Sequence, residues 1–248
     1  MCGCTQIKKM FDRKKYKKFA RMQLKNRWTI PVVMTLITSS IIMLLQSNDF
    51  FNMFRTFTAS GVSLGMSSIF FIAKEPHLSL FSSLFDWLAI LIEFILIFAN
   101  ITVFLKMSRG PEPVQLGTFM EGLSNWGRAA LGGLWQLLWT FLWSLLFIIP
   151  GIVKYYAYSQ MFWLLAEFPN LSVTKSMKIS KEITNGHKGD LFIMDLSFLG
   201  WAILASIPAF IGWLWLIPYI LMSKTNAYHA LLKEAIDLGK LKAEDFKD

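Results

Sequence analysis

Residues 131–167 read LGGLWQLLWTFLWSLLFIIPGIVKYYAYSQMFWLLAE. Two apolar runs rich in aromatic residues are separated in this stretch by the dipeptide Pro150-Gly151. Proline and glycine together favour a turn, and each arm is long and apolar enough to cross the hydrocarbon core of a bilayer. The stretch therefore predicts a membrane hairpin that turns at Pro150.

The pattern occurs a second time. The segment Trp143–Pro150 is matched by Trp201–Pro208, with Trp, Leu, Ile and Pro at the same offsets. The N-terminal region has the same order of a basic helix, a span, an outer excursion and a span. We therefore predict three copies of a unit made of a cytoplasmic helix and a hairpin, related by an axis along the membrane normal.

The composition agrees with a membrane protein. The 248 residues are 54% apolar and only 17% charged, whereas about a quarter of the residues of a soluble domain are charged. The positive charge lies in residues 1–28, which hold ten Lys or Arg and one acid, Asp12. A nucleic-acid-binding protein would spread basic residues over a folded surface, so this distribution argues against that class.

The same basic residues predict the topology. If the uncertain segment 47–83 crossed the bilayer, the segments 107–129 and 168–190 and the tail 236–248 would lie outside the cell. Most of the remaining Lys and Arg would then lie outside as well. The positive-inside rule favours the alternative, in which 47–83 is an extracytoplasmic excursion. Both termini are then expected in the cytoplasm, while the depth of the apolar residues 60–74 stays open.

The predicted fold is all-α: a polytopic helical membrane protein with about six transmembrane helices. They form three hairpins, each preceded by a cytoplasmic amphipathic helix. The predicted boundaries are a basic cytoplasmic helix at 1–28, a six-span domain at 29–235 with cytoplasmic amphipathic segments at 107–129 and 168–190, and a cytoplasmic tail at 236–248.

Several short motifs carry a family resemblance. They are Ile149-Pro-Gly-Ile-Val-Lys-Tyr155, Ser176 and Ser180 with Asn185-Gly-His-Lys188, Phe198-Leu-Gly-Trp201, and Ile217-Pro-Tyr219. Over roughly 85–235 the chain resembles the bacterial integral-membrane family called domain of unknown function 975, and more distantly the membrane domains of some glycerophosphodiester phosphodiesterases. The first resemblance implies a multi-pass protein of the bacterial cytoplasmic membrane and no established activity.

The residues offer little for catalysis. The three histidines are far apart in the sequence, and no Ser or Cys has a credible His and Asp beside it. For Cys2 and Cys4, reduced thiols are the preferred interpretation over metal binding or lipid attachment. We therefore expect no enzyme activity, no cofactor and no metal site.

Ionisable residues inside the spans are candidates for a ligand or proton site, because a lone charge in hydrocarbon is costly. The candidates are Glu93, Asp195, Lys224 and His229. If the last hairpin turns near Ala209 or Phe210, Asp195 is level with Lys224, and a turn at Gly212 would instead make it level with His229. The alternatives are a neutralised pair that holds two helices together and a transport site between the hairpins.

A second set of candidates would contact lipid headgroups. Near the N-terminus, Ile7, Met10, Phe11, Phe19 and Met22 are expected on the apolar face of a helix over residues 6–27, with Tyr16 and Leu24 off that face. This helix is either a topogenic signal or a segment that lies on anionic lipid. Lys154 and its tyrosine neighbours are expected as an outer interfacial anchor or a headgroup site. The headgroup candidates are Lys14, Lys15, Lys17, Lys18, Arg21, Lys154, Tyr155 and Tyr156.

The function expected from these features is non-catalytic, through contacts with membrane lipids, in particular anionic ones, or with a membrane-protein partner. The alternative is a small transporter with a polar site between the hairpins.

Overall fold

The computed structural model of the chain describes residues 11–45, 80–110, 114–207 and 211–246. Within these ranges the chain is helical and contains no β-strand, so the all-α class is confirmed. The α-helices are α1 (Arg13–Leu24), α2 (Thr29–Leu45), α3 (Leu80–Arg109), α4 (Leu116–Ser124), α5 (Trp126–Leu146), α6 (Ile148–Tyr158), α7 (Met161–Glu167), α8 (Val173–Ile183), α9 (Lys188–Leu196), α10 (Leu199–Ser206) and α11 (Trp213–Asp237). A short 3₁₀ turn, Ala243–Phe246, follows α11.

Three stretches of the described chain are long and apolar enough to cross a membrane: Trp87–Arg109, Trp126–Leu146 and Lys188–Ser206. The bent pair of α1 and α2 adds a fourth if it is counted as one span. These spans are compatible with a membrane protein, but the arrangement of six helices as three hairpins stays a prediction. One reason is that the return arm of the Pro150 hairpin is interrupted between α6 and α7, at Ser159-Gln160.

Some predictions fall outside the described residues. They concern Cys2 and Cys4, nearly all of the excursion 47–83, and the turn at 208–210. The internal repeat and the domain boundaries also stay predictions.

A sharp corner separates α1 from α2, whose axes differ in direction by 102°. Asn26 adopts a left-handed backbone conformation at this corner, with φ of 63°, a role that asparagine tolerates better than most residues. The Arg27 guanidinium fixes the corner to the end of α3, because its Nη1 donates to the carbonyl oxygen of Gly110 at 2.9 Å.

The two apolar hairpins bring their arms together through glycines. A Cβ atom on Gly151 would lie 2.2 Å from the Ser144 hydroxyl oxygen, and one on Gly212 would lie 2.6 Å from the Cα atom of Ala205. Such distances are shorter than van der Waals contact, so only glycine permits this approach. The structure thus places α5 against α6, and α10 against α11. The break between α5 and α6 lies at Phe147, and Pro150 lies in the first turn of α6 instead of at the turn, because the first turn of a helix accepts proline.

The main core surrounds α7. Residues Met161 to Leu165 are all buried and pack against α3, α8 and α11. Gly133 lets α5 approach α3 closely, because a Cβ atom there would lie 2.2 Å from the ring of Phe94. Gly133 therefore serves close packing between α5 and α3.

The fold has two distinct ends. Polar side chains from the ends of α3, α7 and α11 and from the starts of α5 and α9 meet at one end, which we call the polar end. By contrast, the turn between α5 and α6 is apolar and exposed: Leu145 to Ile149 are 64% to 77% exposed. Apolar exposure of this size is typical of a surface that lies in lipid.

Candidate functional site

The N-terminal helix is attached to the rest of the fold by one face. Tyr16, Ala20 and Leu24 are buried and pack in a cluster that includes residues of α11. This corrects the predicted apolar face, since Phe19 and Met22 are 41% and 51% exposed. The physical reason is tertiary: α11 offers a partner surface to the Tyr16 face. Phe11 packs as expected, and Ile7 and Met10 lie outside the described residues.

Four exposed basic residues line another face of α1. Lys14, Lys18, Arg21 and Lys25 recur at helical spacing and form what we call the basic stripe. The helix has no acid in its first turn, and its N-cap residue is Asp12, whose carboxylate accepts from the backbone N–H groups of Lys14 and Lys15. The stripe is therefore a row of positive charge on a helix that the protein holds in place.

Lys15 and Lys17 lie beside the stripe. The ammonium group of Lys15 is exposed and lies 5.7 Å from the ring centre of Phe19. Lys17 is partly buried, and its Nζ donates to the carbonyl oxygen of Ser197 at 3.1 Å. The candidates on α1 thus divide into exposed cations and cations that contact α9–α11.

The position of α1 between the two ends follows from its contacts. On one side, Gln23 bonds to Asn226 at 2.8 Å and to the carbonyl of Ser108 at 3.2 Å, near the polar end. On the other side, the Nε atom of Arg21 donates at 3.1 Å to the hydroxyl of Tyr219, which lies in the first half of α11. The helix therefore lies between the polar end and the first half of α11.

Two groups on α1 have shifted pKa values. Burial, followed by the positive charges of Arg13 and Arg21, lowers the pKa of the Lys17 amine from its ordinary 10.5. Burial is the largest cause that raises the pKa of the Tyr16 phenol above 10.0. The carboxylates of Glu234, Asp12 and Asp190 add to that increase, because they repel a phenolate.

Two of the four predicted intramembrane candidates come together. Lys224 Nζ on α11 lies 2.9 Å from Asp195 Oδ1 on α9, and the Tyr156 hydroxyl on α6 donates to Asp195 Oδ2 at 3.2 Å. The Lys224 and Asp195 side chains are 28% and 27% exposed. This is the pairing expected for a turn near Ala209 or Phe210.

The other two candidates lie elsewhere. His229 Nε2 is 2.8 Å from the Ser108 hydroxyl, at the polar end, and does not bond to Asp195. Glu93, on α3, is partly buried and has no hydrogen-bond partner within the parts of the chain that the structure describes. The four residues therefore do not form one site.

The three residues of the predicted outer anchor, Lys154, Tyr155 and Tyr156, have different surroundings. Lys154 Nζ lies 4.1 Å from the ring centre of Trp143, across the hairpin, and Tyr155 is 47% exposed. Tyr156 instead turns inward to Asp195. Tyr155 is thus exposed as an interfacial contact requires, whereas Lys154 is partly buried.

A network at the polar end was not predicted. Glu167 accepts hydrogen bonds from Arg109 and from the Tyr228 hydroxyl, which joins α3, α7 and α11. Arg128 donates to the carbonyl oxygen of Leu171 at 2.6 Å. The sequence offered one usable signal, since Arg109 and Glu167 each end an apolar run just before a proline.

A second unpredicted group surrounds His187. Its Nε2 lies 3.1 Å from Glu234 Oε1, its Nδ1 lies 3.2 Å from Asp190 Oδ2, and Phe11 stacks on the ring. These contacts fix the start of α9 to α11 and to Phe11, two residues before α1. In the described ranges no group of three or more His, Cys, Asp or Glu side chains has an arrangement that could hold a metal ion.

Comparison with known proteins agrees with the resemblance seen in the sequence. Residues 134–235 match the family described as Protein of unknown function (DUF975). DUF975 is thus the family that this segment is similar to. No curated protein and no solved structure matches the chain, so the comparisons do not show the more distant similarity to glycerophosphodiester phosphodiesterases. The matched DUF975 segment runs from α5 into α11 and so includes the Asp195–Lys224 pair, whereas the basic stripe precedes it.

Proposed function

We propose that the chain is an integral protein of the cytoplasmic membrane that binds the anionic surface of the inner leaflet through α1, without catalysing a reaction. The observation that carries this proposal is the basic stripe on α1, a helix that the contacts with α11 hold in place. Each basic residue near an anionic surface contributes about 1 kcal/mol of attraction. Because α1 is already ordered, its four basic residues attract the membrane together, and binding costs no further backbone conformational entropy.

The corner between α1 and α2 supports the same orientation. If α2 crosses the bilayer, the 102° change of direction makes α1 run nearly parallel to the membrane surface. A helix in that position can present a whole face to lipid headgroups.

A transport site has less support. It would bring Glu93 together with the other intramembrane charges, whereas Asp195 is neutralised by Lys224 and His229 bonds to Ser108. The Asp195–Lys224 pair joins two arms of one hairpin, which favours the structural interpretation of a pair that holds helices together.

Native mass spectrometry of the full chain tests the proposal. The chain is released from nanodiscs that contain equal amounts of phosphatidylglycerol and phosphatidylcholine, in ammonium acetate at about 50 mM and about 500 mM, where electrostatic screening differs strongly. We expect phosphatidylglycerol to be enriched among the bound lipids at low salt. The triple variant K14Q/K18Q/K25Q should lose that enrichment.

A matched control removes the same charge elsewhere. Lys178 and Lys181 on α8 and Lys233 on α11 are exposed. The variant K178Q/K181Q/K233Q should keep most of the enrichment. Equal enrichment in both triple variants would contradict the proposal.

A further inference from the structure

Arg21 on α1 lies beside aromatic side chains of α10 and α11, and we call the surface formed by Lys17, Arg21, Trp201 and Tyr219 the notch. Arg21 points into it from α1: its Cζ atom lies 5.3 Å from the ring centre of Tyr219 and 6.0 Å from that of Trp201. The hydrogen bond from Arg21 Nε to the Tyr219 hydroxyl, at 3.1 Å, fixes the direction of the guanidinium group. Two aromatic faces and one hydrogen bond thus hold this cation in a defined place.

The charge of Arg21 has no neutralising partner among the residues that the structure describes. In that part of the chain, Nη1 and Nη2 of Arg21 donate no hydrogen bond, and no carboxylate forms an ion pair with this residue. Lys17 lies one helical turn away, with its ammonium 3.7 Å from the ring centre of Phe198 and bonded to the neutral Ser197 carbonyl. Within the described ranges, these two adjacent cations therefore keep donors for a ligand and contact no anion.

The notch continues into apolar surface. Trp201 and Leu204 on α10 are 51% and 58% exposed, and Trp215 on α11 is 48% exposed. Trp215 precedes Tyr219 by one helical turn, toward the hairpin turn. A ligand with its anionic group at Arg21 would therefore place its remainder along tryptophan and leucine side chains.

We propose that this notch binds one anionic phospholipid, with its phosphate on Arg21 and Lys17 and an acyl chain along Trp201 and Trp215. A guanidinium group presents two parallel N–H donors that match two phosphate oxygens, and Nη1 and Nη2 are the atoms left for that purpose. The apolar continuation selects a lipid over a free phosphate ion. The inference rests on the proposed function, because α1 must lie at headgroup level.

The salt concentration distinguishes lipid binding at the notch from the attraction of the basic stripe to the membrane surface. Attraction between the exposed stripe and the membrane is screened by salt. A phosphate held by paired hydrogen bonds from Arg21, with its acyl chain on apolar side chains, depends less on the long-range attraction that salt screens. In the mass spectrometry experiment above, we expect one phosphatidylglycerol to remain bound at about 500 mM ammonium acetate. R21A should reduce that salt-resistant adduct at least ten-fold, and R21K should reduce it less than R21A does.

A second variant guards against a folding defect. Y219F keeps Arg21 but removes the hydroxyl that orients it, and it should weaken the salt-resistant adduct while leaving the thermal unfolding temperature near that of the wild type. K14Q/K18Q/K25Q retains Arg21 and should keep this adduct while it loses the salt-sensitive enrichment. The two proposals can therefore fail independently.

Three results would overturn the inference. They are the absence of a salt-resistant phosphatidylglycerol in the wild type, its full retention in a folded R21A variant, and its displacement by millimolar glycerol phosphate or inorganic phosphate. The last result would identify a free-phosphate site, because those ions have no acyl chain to contact Trp201 and Trp215.

Discussion

Lys224 on α11 lies 2.9 Å from Asp195 on α9, and the two residues join the arms of the last hairpin. Tyr156 adds a third arm through its hydrogen bond to the same carboxylate. Removing one partner of a buried ion pair leaves an uncompensated charge, which costs 3–5 kcal/mol when burial is complete.

Substitution of Asp195 should therefore destabilise the fold. Because the two side chains are about a quarter exposed, we expect D195N to lower the free energy of unfolding by only about 1–3 kcal/mol. The exchanged pair D195K/K224D should recover part of the loss. Denaturant titration in detergent micelles measures both, and a double exchange no better than the single variants would show that the pair does not stabilise the hairpin.

Close packing of α5 on α3 gives a second prediction. G133A places a methyl group within the ring of Phe94 and should cost about 1–3 kcal/mol in unfolding free energy. G127A, on the same helix with nothing within 4 Å of its added methyl, is the control and should be neutral or slightly stabilising. Equal effects of the two substitutions would mean that α5 and α3 do not pack as described.

The raised pKa of Tyr16 predicts an alkaline effect. The folded chain resists ionisation of this phenol, while the unfolded chain ionises it near pH 10.0. The stability contribution is thus complete below pH 10 and is lost as the pH rises from 10 toward the folded-state pKa. The difference in tyrosinate absorbance between wild type and Y16F should have its midpoint above pH 10, and a midpoint at or below 10 would contradict the burial of Tyr16.

Two apolar helices in contact could be predicted from the sequence, because apolar runs depend on local chemistry, but the break between them lies at Phe147 instead of Pro150. The Asp195–Lys224 pair could also be predicted, because two residues equally far from a hairpin turn lie at the same depth along the two arms. The buried face of α1 was not, since Tyr16 is buried by α11, which is about two hundred residues away in sequence. The bonds of Glu167 to Arg109 and Tyr228 likewise join three separate helices, and no spacing in the sequence encodes them.

The topology gives a fourth prediction. With Cys2 and Cys4 replaced by serine, single cysteines at Lys25 and Lys240 should react with a membrane-impermeant maleimide only after the cells are opened. A cysteine at Lys154 should react in intact cells. Labelling of Lys25 and Lys240 from opposite sides would contradict a shared cytoplasmic location of the two ends.

The central claim is that the basic stripe faces the headgroups, and electron paramagnetic resonance tests it most directly. We compare two nitroxide labels, one at Lys18 in the stripe and one at its neighbour Phe19 outside it. The full-length protein is placed in vesicles that contain a nickel-chelating lipid. The account predicts markedly stronger relaxation by the lipid-bound nickel at position 18 than at position 19. Equal relaxation at the two positions, or stronger relaxation at position 19, would contradict it.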